Sequence, residues 1–305
     1  MKQVVCVGNA VLDHVFQLPI IPKTPVKCFA KNYFQACGGT SLRAAVAISR
    51  AGGQAVFWGR LGNDHNGHLI LEELEELGVD VRDVLTQQDV KSGVSSVLVD
   101  SEGERLITNY NDPKLISDAN WLPLERLKES HAVLVSFGWH EGAIKTLRRA
   151  RELGMPAVLD ADLTPGSFNE DIIRSATHVL FSQPALSKFA VRMSTEKALN
   201  YAAELNRGWV GVTEGSSGTR WLEKGSLRHA PAFEVKTVDT LGAGDVFHGI
   251  FALGLAEGNT EANSIYFASA AAAIHCSRPG GRKSIPDRDE IKNFLSNKKL
   301  NFLRF

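Results

Sequence analysis

Asp239-Thr240-Leu241-Gly242-Ala243-Gly244-Asp245-Val246-Phe247 takes the chain from a turn into an apolar helix, and the rest of the sequence is best read outward from it. Two glycines and an alanine stand directly before a carboxylate. Glycine lets backbone N–H groups crowd around an anion, and the first turn of a helix adds unpaired donors at the positive end of its dipole. A carboxylate in that turn is badly placed for a structural salt bridge. It is well placed to take a proton from a nucleophile attacking the same anion. The combination reads as an anion hole with its own general base, which is what phosphoryl transfer from a nucleotide to an alcohol requires. A plain capped turn would use similar residues. Val246 to Ala256 weighs against that reading, being small and apolar nearly all round, so the helix is expected to be buried.

A buried helix needs a layered fold around it, and the remaining chain supplies one. Val4 to Val7, Ala55 to Trp58, Ala132 to Val135, Ala157 to Leu159, Val179 to Phe181 and Trp209 to Val212 are short, continuously apolar runs. Such runs are typical of parallel strands covered on both faces. Between them, Ser41 to Ala51, Leu69 to Leu77, Gly142 to Leu153 and Thr195 to Leu205 carry helical periodicity. The expectation is an α/β three-layer sandwich with a mostly parallel central sheet. Lys27 to Gln35, Gly93 to Asp100 and Arg105 to Tyr110 alternate instead, the last two joined as a hairpin through Ser101-Glu102-Gly103-Glu104. Alternation marks strands with one exposed face. They predict a small β-sheet lid, from about 14–37 and 91–111, inserted in one domain over 1–305.

Composition narrows the function. Lys plus Arg and Asp plus Glu balance at 34 each in the 305 residues, which favours neither nucleic acid nor a membrane surface. Four cysteines (Cys6, Cys28, Cys37, Cys276) lack C-x-x-C spacing, so metal and redox centres are poorly supported. With no signal-like start and no spanning apolar run, the expectation is a cytoplasmic protein with reduced thiols.

Taken together, these strings resemble the ribokinase family of sugar kinases, the PfkB carbohydrate kinases, over the whole chain. The family's C-terminal signature, D-T-x-G-A-G-D-x-F, is complete at Asp239 to Phe247, and its N-terminal glycine pair stands at Gly38-Gly39. The resemblance implies a large α/β unit with a β lid, ATP and Mg²⁺ as cofactors, a sugar as acceptor, and a homodimer formed through the lid. It implies Asp245 as the base and Gly242, Ala243 and Gly244 as the anion hole. Asp13, in Gly8-Asn9-Ala10-Val11-Leu12-Asp13 beyond the first strand, corresponds to a sugar-binding carboxylate, with Gly38 and Gly39 lying close against the sugar. Thr213, Gly215 and Gly218 match a T-x-G-x-x-G turn along ATP; a simple β-turn explains the same spacing. Ala270 to Ala273 lies near the adenine or merely packs a helix. Asp239, with backbone around Arg278-Pro279-Gly280-Gly281, resembles a monovalent-cation site, so K⁺ is a further expected ion.

Three departures from the family pattern bear on the substrate. Arg43 stands where an Asn usually contacts the sugar, and the N-x-x-E string that orders Mg²⁺ waters falls at Ser182-Gln183-Pro184-Ala185, without its Asn or Glu. Metal binding would then use phosphate oxygens, water and another acid, such as Asp160 or Asp162. Arg43, with Lys27 on a lid strand and Asn109 opposite it, suggests a sugar acid or another anionic sugar; the plain alternative is that both cations face solvent. Val238 to Gly249, Cys276 to Arg282, Trp139 to Gly142 and Thr108 to Tyr110 also resemble the sulfofructose kinase branch, although Gly138 replaces an Arg there. A nucleoside kinase stacking its base on Phe29, Tyr33 or Phe34, and a non-catalytic sugar or nucleotide sensor, are the rival readings.

Overall fold

The apolar runs pair side by side into one nine-stranded sheet. In chain order the elements are β1 (Gln3–Val7), β2 (Val11–Gln17), β3 (Asn32–Gly38), α1 (Thr40–Arg50), β4 (Gln54–Trp58), β5 (Arg60–Gly62), α2 (His65–Glu76), β6 (Val79–Asp80), β7 (Leu85–Gln87), β8 (Gly93–Val99) and β9 (Arg105–Tyr110). They continue with β10 (Ala132–Ser136), α3 (His140–Glu152), β11 (Ala157–Ala161), α4 (Glu170–Ser175), β12 (His178–Ser182), α5 (Gln183–Phe189), α6 (Thr195–Asn206) and β13 (Trp209–Thr213). The last are β14 (Thr219–Glu223), β15 (Ser226–Ala230), α7 (Ala243–Ala256), α8 (Glu261–Cys276) and α9 (Arg288–Asn297). This is a computed structural model, and it describes residues 1–298 apart from Glu102, Pro165, Ser167 and Gly280.

The large sheet has the order β15-β14-β13-β12-β11-β10-β1-β4-β6, parallel from β13 to β6 with an antiparallel edge at β14 and β15. Side chains alternate between its two faces. Val4, Cys6 and Leu134 pack in a core with residues of α1, α2, α7, α8 and α9. Val5, Val7 and Val133 pack in a second core with residues of α3 to α6. Burial on both faces is why the strands read as unbroken apolar runs. The sequence-predicted helix after Asp245 is indeed buried along its whole length.

A second sheet has the order β3-β2-β8-β9 and forms the lid. Its register sets Asp13 beside Ser95 and Ser95 beside Asn109, so the three project from one face. Asp13, beyond β1, lies within strand β2. Two corrections apply to this region. Lys27 lies on no strand, because β3 begins only at Asn32; β2 ends at Gln17, and residues 27–30 have no ladder partner. Pro19, Pro22 and Pro25 break the hydrogen-bonding potential between the two strands. Asn109 is therefore not opposite Lys27: β3 and β9 are the two edges of the lid.

Candidate active site

The C-terminal ends of the parallel strands, the lid face and the turn before α7 enclose a cavity of about 370 Å³. Asp13, Gly39, Arg43, Asn109, Asp160, Asp162 and Leu241 are among the residues that line it. Lys27 is not. Open α/β sheets present ligand sites at this end.

Arg43 is the centre of the arrangement. It sits in the first turn of α1, which begins directly after Gly39, whose φ of 109° suits only glycine. Helices α1 and α7 pack in close contact, since a Cβ at Gly249 would lie 2.5 Å from the Ala44 carbonyl oxygen. That approach brings the guanidinium between two carboxylates distant in sequence. Nη2 donates to Asp13 Oδ2 at 2.5 Å, and Nη1 reaches Asp245 Oδ2 at 3.4 Å. Asp13 also accepts a hydrogen bond from the Ser95 hydroxyl through Oδ1. The expectation that Asp245 avoids ion pairing is thus corrected, and so is the expectation that Arg43 either faces solvent or holds a free charge for an anion. Its charge is already shared between Asp13 and Asp245.

Burial pushes the Asp245 carboxyl up to about 7, against the opposing pull of Arg43 and with a further upward push from Asp160. An acid with that affinity is half ionised near neutrality, suited to accepting a proton. Asp160 is buried more deeply; desolvation first, and the charge of Asp162 second, raise it well above the usual carboxylate range. His248, beside it at 3.5 Å, is held neutral by burial. Asp162, by contrast, is exposed and accepts a hydrogen bond from Ser182 Oγ at 2.7 Å.

The turn before α7 has open donors. Gly242 caps the helix with φ 79°, and a Cβ there would meet Arg43 Cδ at 3.1 Å. Ala243 N–H already donates to Thr240 O at 3.2 Å. A Cβ at Gly244 would meet nothing within 4 Å, so the space over the helix N-terminus is clear. Gly38 faces the Asp13 carboxylate, its would-be Cβ lying 2.3 Å from Asp13 Oδ2.

The remaining predicted positions fall farther out. Thr213 ends β13, and the turn to Gly218 closes the β13–β14 hairpin, with Glu214 N–H donating to Gly218 O at 2.7 Å. A Cβ at Gly218 would lie 2.1 Å from Ala230 O, so the turn itself requires that glycine. Ala270 and Ala271 are fully buried. Asp239, named with a monovalent cation, accepts at Oδ1 from Arg105 Nη2 and from Leu241 N–H, each at 2.9 Å. Gly280, named with that site, lies outside the described residues. Sequence reasoning missed Ser95, Arg105 and His275. Ser95 carried a weak signal, since it alternates in phase with Val97 on a predicted lid strand; the Arg105–Asp239 pair, 134 positions apart, carried none.

Comparisons with known proteins agree with this geometry. The sequence model of the pfkB family carbohydrate kinases matches residues 1–288. The chain is 27% identical to the ribokinase of Bacillus subtilis, over 97% of this chain and 100% of that protein. A crystal structure from Agrobacterium tumefaciens superposes with a TM-score of 0.93 at 35% identity, covering 98% of this chain and 99% of its own. The Arabidopsis thaliana ribokinase complexed with ribose and ATP superposes with a TM-score of 0.84 at 25% identity, covering 96% and 98%.

Proposed function

The chain belongs to the pfkB family of carbohydrate kinases, ATP-dependent phosphotransferases with an alcohol group as acceptor, and within that activity we propose that it phosphorylates a primary hydroxyl of a neutral sugar, with Asp245 as the general base. The observation that carries this reading is the chain of contacts Asp13–Arg43–Asp245, which runs from Asp13 and Arg43 in the cavity lining to Asp245 in the first turn of α7, next to the lining. Asp13, fixed by Ser95 and Arg43, retains acceptor capacity for sugar hydroxyls. Asp245 takes the proton from the attacking oxygen. The N–H groups of Gly242 and Gly244 receive charge from the transferred phosphoryl, while that of Ala243 is held by the Thr240 carbonyl. Thr213, Gly215 and Gly218, along the same edge of the sheet, lie along ATP. Closure of the lid excludes water from the transfer.

The charge balance favours a neutral acceptor over a sugar acid. Arg43 is the cationic side chain among the described residues that line the cavity, and it is paired twice; Asp13 and Asp162 leave the lining net negative. A sulfonate-bearing sugar is disfavoured on the same ground. Gly138 supplies no cation, and a Cβ there would lie 2.8 Å from Asn9 Nδ2. The nucleoside reading loses its support because Phe29, Tyr33 and Phe34 do not line the cavity, and Tyr33 stacks on His14 instead. A mere sensor would have no use for a base poised near neutrality.

Mg²⁺ binds through one or two carboxylates together with phosphate oxygens and water, so the lack of a three-acid cluster among the described residues is compatible with it. Asp162, exposed at the cavity, fits as the residue that holds its water shell; Asp160, buried and with its affinity for a proton raised by desolvation, fits less well. The ion would supply charge neutralisation on the phosphates. Exposed Leu106 and Tyr110, on the lid face opposite Asp13 and Asn109, support a homodimer formed there.

ADP release measured over neutral, acidic, phosphorylated and sulfonated sugars, with adenosine included, tests the reading. A neutral pentose or hexose is expected as the best acceptor, with turnover lost in Asp245→Asn. Preference for an acidic sugar, or near-normal turnover in that variant, would refute it.

A further inference from the structure

The turn that carries the anion-hole donors is held from two sides by the chain's own N–H groups. Arg105, the first residue of lid strand β9, reaches across the cavity edge. Its Nη2 donates to Asp239 Oδ1 at 2.9 Å and to Thr240 Oγ1 at 3.0 Å. The same Asp239 oxygen accepts Leu241 N–H, so the carboxylate links the guanidinium to the backbone just before Gly242. On the other side stands His275, at the end of α8 and only 2% exposed. Its Nε2 lies 2.7 Å from Leu241 O, and its Nδ1 lies 2.7 Å from Ser284 Oγ. Burial keeps this ring neutral, so an Nε2–H donor leaves Nδ1 to accept the serine hydroxyl.

A monovalent cation beside this turn would draw on the oxygens around it. Asp239 Oδ1, the Leu241 carbonyl and the Ser284 hydroxyl each already face a nitrogen of the protein. Arg105 also brings a full positive charge to Asp239, and a second cation there would be repelled. The residues therefore do not fit the K⁺ that the sequence resemblance implied.

We propose that Arg105 is a positioning residue for phosphoryl transfer: its guanidinium holds the Asp239–Thr240 turn, and through it the N–H groups from Gly242 onward, in place of a monovalent cation. The inference rests on the kinase reading above. It makes the reaction independent of K⁺, and it ties the order of the anion hole to the lid, because the holding group is on a lid strand. Asp239 and Arg105 are partly exposed, 28% and 20% at the side chain, so the pair can open when the lid lifts.

The test compares wild type, Arg105→Ala and Arg105→Lys in potassium chloride and in tetramethylammonium chloride at equal ionic strength. Turnover is measured with ribose or fructose as acceptor, and thermal unfolding is followed in both salts. Wild type is expected to keep the same kcat and melting temperature in either salt. Arg105→Ala should lose about tenfold or more in kcat, with a smaller change in sugar KM, as for loss of a transition-state contact. K⁺ should restore much of that loss and raise the melting temperature of the variant alone, with Arg105→Lys intermediate. The inference is overturned if K⁺ activates or stabilises wild type, if Arg105→Ala turns over normally without K⁺, or if a folded variant is not rescued. Should no sugar be phosphorylated even by wild type, the kinase reading itself fails, and the melting curves still report whether K⁺ enters the site.

Discussion

Replacing Arg43 by Met should move the acid limb of the pH–rate profile upward. Asp245 sits near 7 because burial raises it while Arg43, 3.4 Å away, holds it down. A unit charge at about 4 Å contributes ~4 kcal/mol at an effective dielectric constant near 20. Here the guanidinium is shared with Asp13 at 2.5 Å, which offsets roughly half of its field, leaving ~2 kcal/mol. That corresponds to a rise of about 1.5 pH units. The sign follows directly. Loss of an opposite charge favours the neutral acid, and a base works only when deprotonated, so activity is lost below a higher pH than before. The assay is kcat/KM from direct ADP detection, which reports the free enzyme. Wild type should fall off below about pH 7 and the variant below about pH 8 to 9. Met keeps much of the bulk, and any weakening of sugar binding through Asp13 lowers the whole curve without moving its limb. A limb that stays in place, or that moves to lower pH, would refute both the assignment of Asp245 and the role of Arg43 in tuning it.

Other variants probe separate parts of the site. Asp245→Asn should cut kcat by about 10²- to 10⁴-fold while leaving ATP affinity, read by calorimetry, nearly intact. The same variant should also be more stable than wild type near pH 8, with the difference shrinking toward pH 5. The folded carboxyl ionises near 7 and the unfolded one near 3.8, so the wild-type acid is tolerated at low pH and increasingly destabilises the fold as pH rises between those values. Melting curves at several pH values check this; a stability gap independent of pH would contradict it. Ser95→Ala removes a hydrogen bond to the Asp13 carboxylate, worth about 1.5–3 kcal/mol for a charged acceptor, and should raise sugar KM by about tenfold or more. ATP KM should hardly change; equal effects on both would show that Ser95 supports the fold and not the sugar side.

The layers of the fold were legible because buried parallel strands must be apolar without interruption, as Val4 to Val7 and Ala132 to Val135 are, and because α7 is apolar all round. The tight turn before α7 was legible for a local reason: Gly242 has a positive φ, and a Cβ at Gly244 would meet only open space. What the sequence did not disclose are contacts that join distant segments. Lys27 alternates with its neighbours as a strand residue would, yet β2 ends at Gln17 and offers it no partner. Arg43 stands out by its type alone, but whether it meets solvent, a substrate or two carboxylates depends on how closely α1 approaches α7. Nothing in the neighbourhood of Arg105 points to Asp239.

Those hidden contacts share one feature: each joins a lid strand to the segment from Asp239 to Asp245 through a guanidinium. Arg43 links Asp13, on lid strand β2, to Asp245, and Arg105 links strand β9 to the turn before Gly242. On the proposed reading, an acceptor sugar that bonds Asp13 shares its remaining lone pairs beside Ser95 and Arg43. Its hydroxyls would then draw part of the Asp13 charge away from the guanidinium and leave more of the guanidinium's field to Asp245. A stronger opposite charge lowers the affinity of Asp245 for a proton, so the base becomes more fully ionised as the sugar binds. On the proposed reading, the site would acquire its working protonation state from the substrate itself. An anionic sugar would disturb this exchange by claiming Arg43 outright, which is a second physical reason, independent of the net charge of the cavity, for a neutral acceptor.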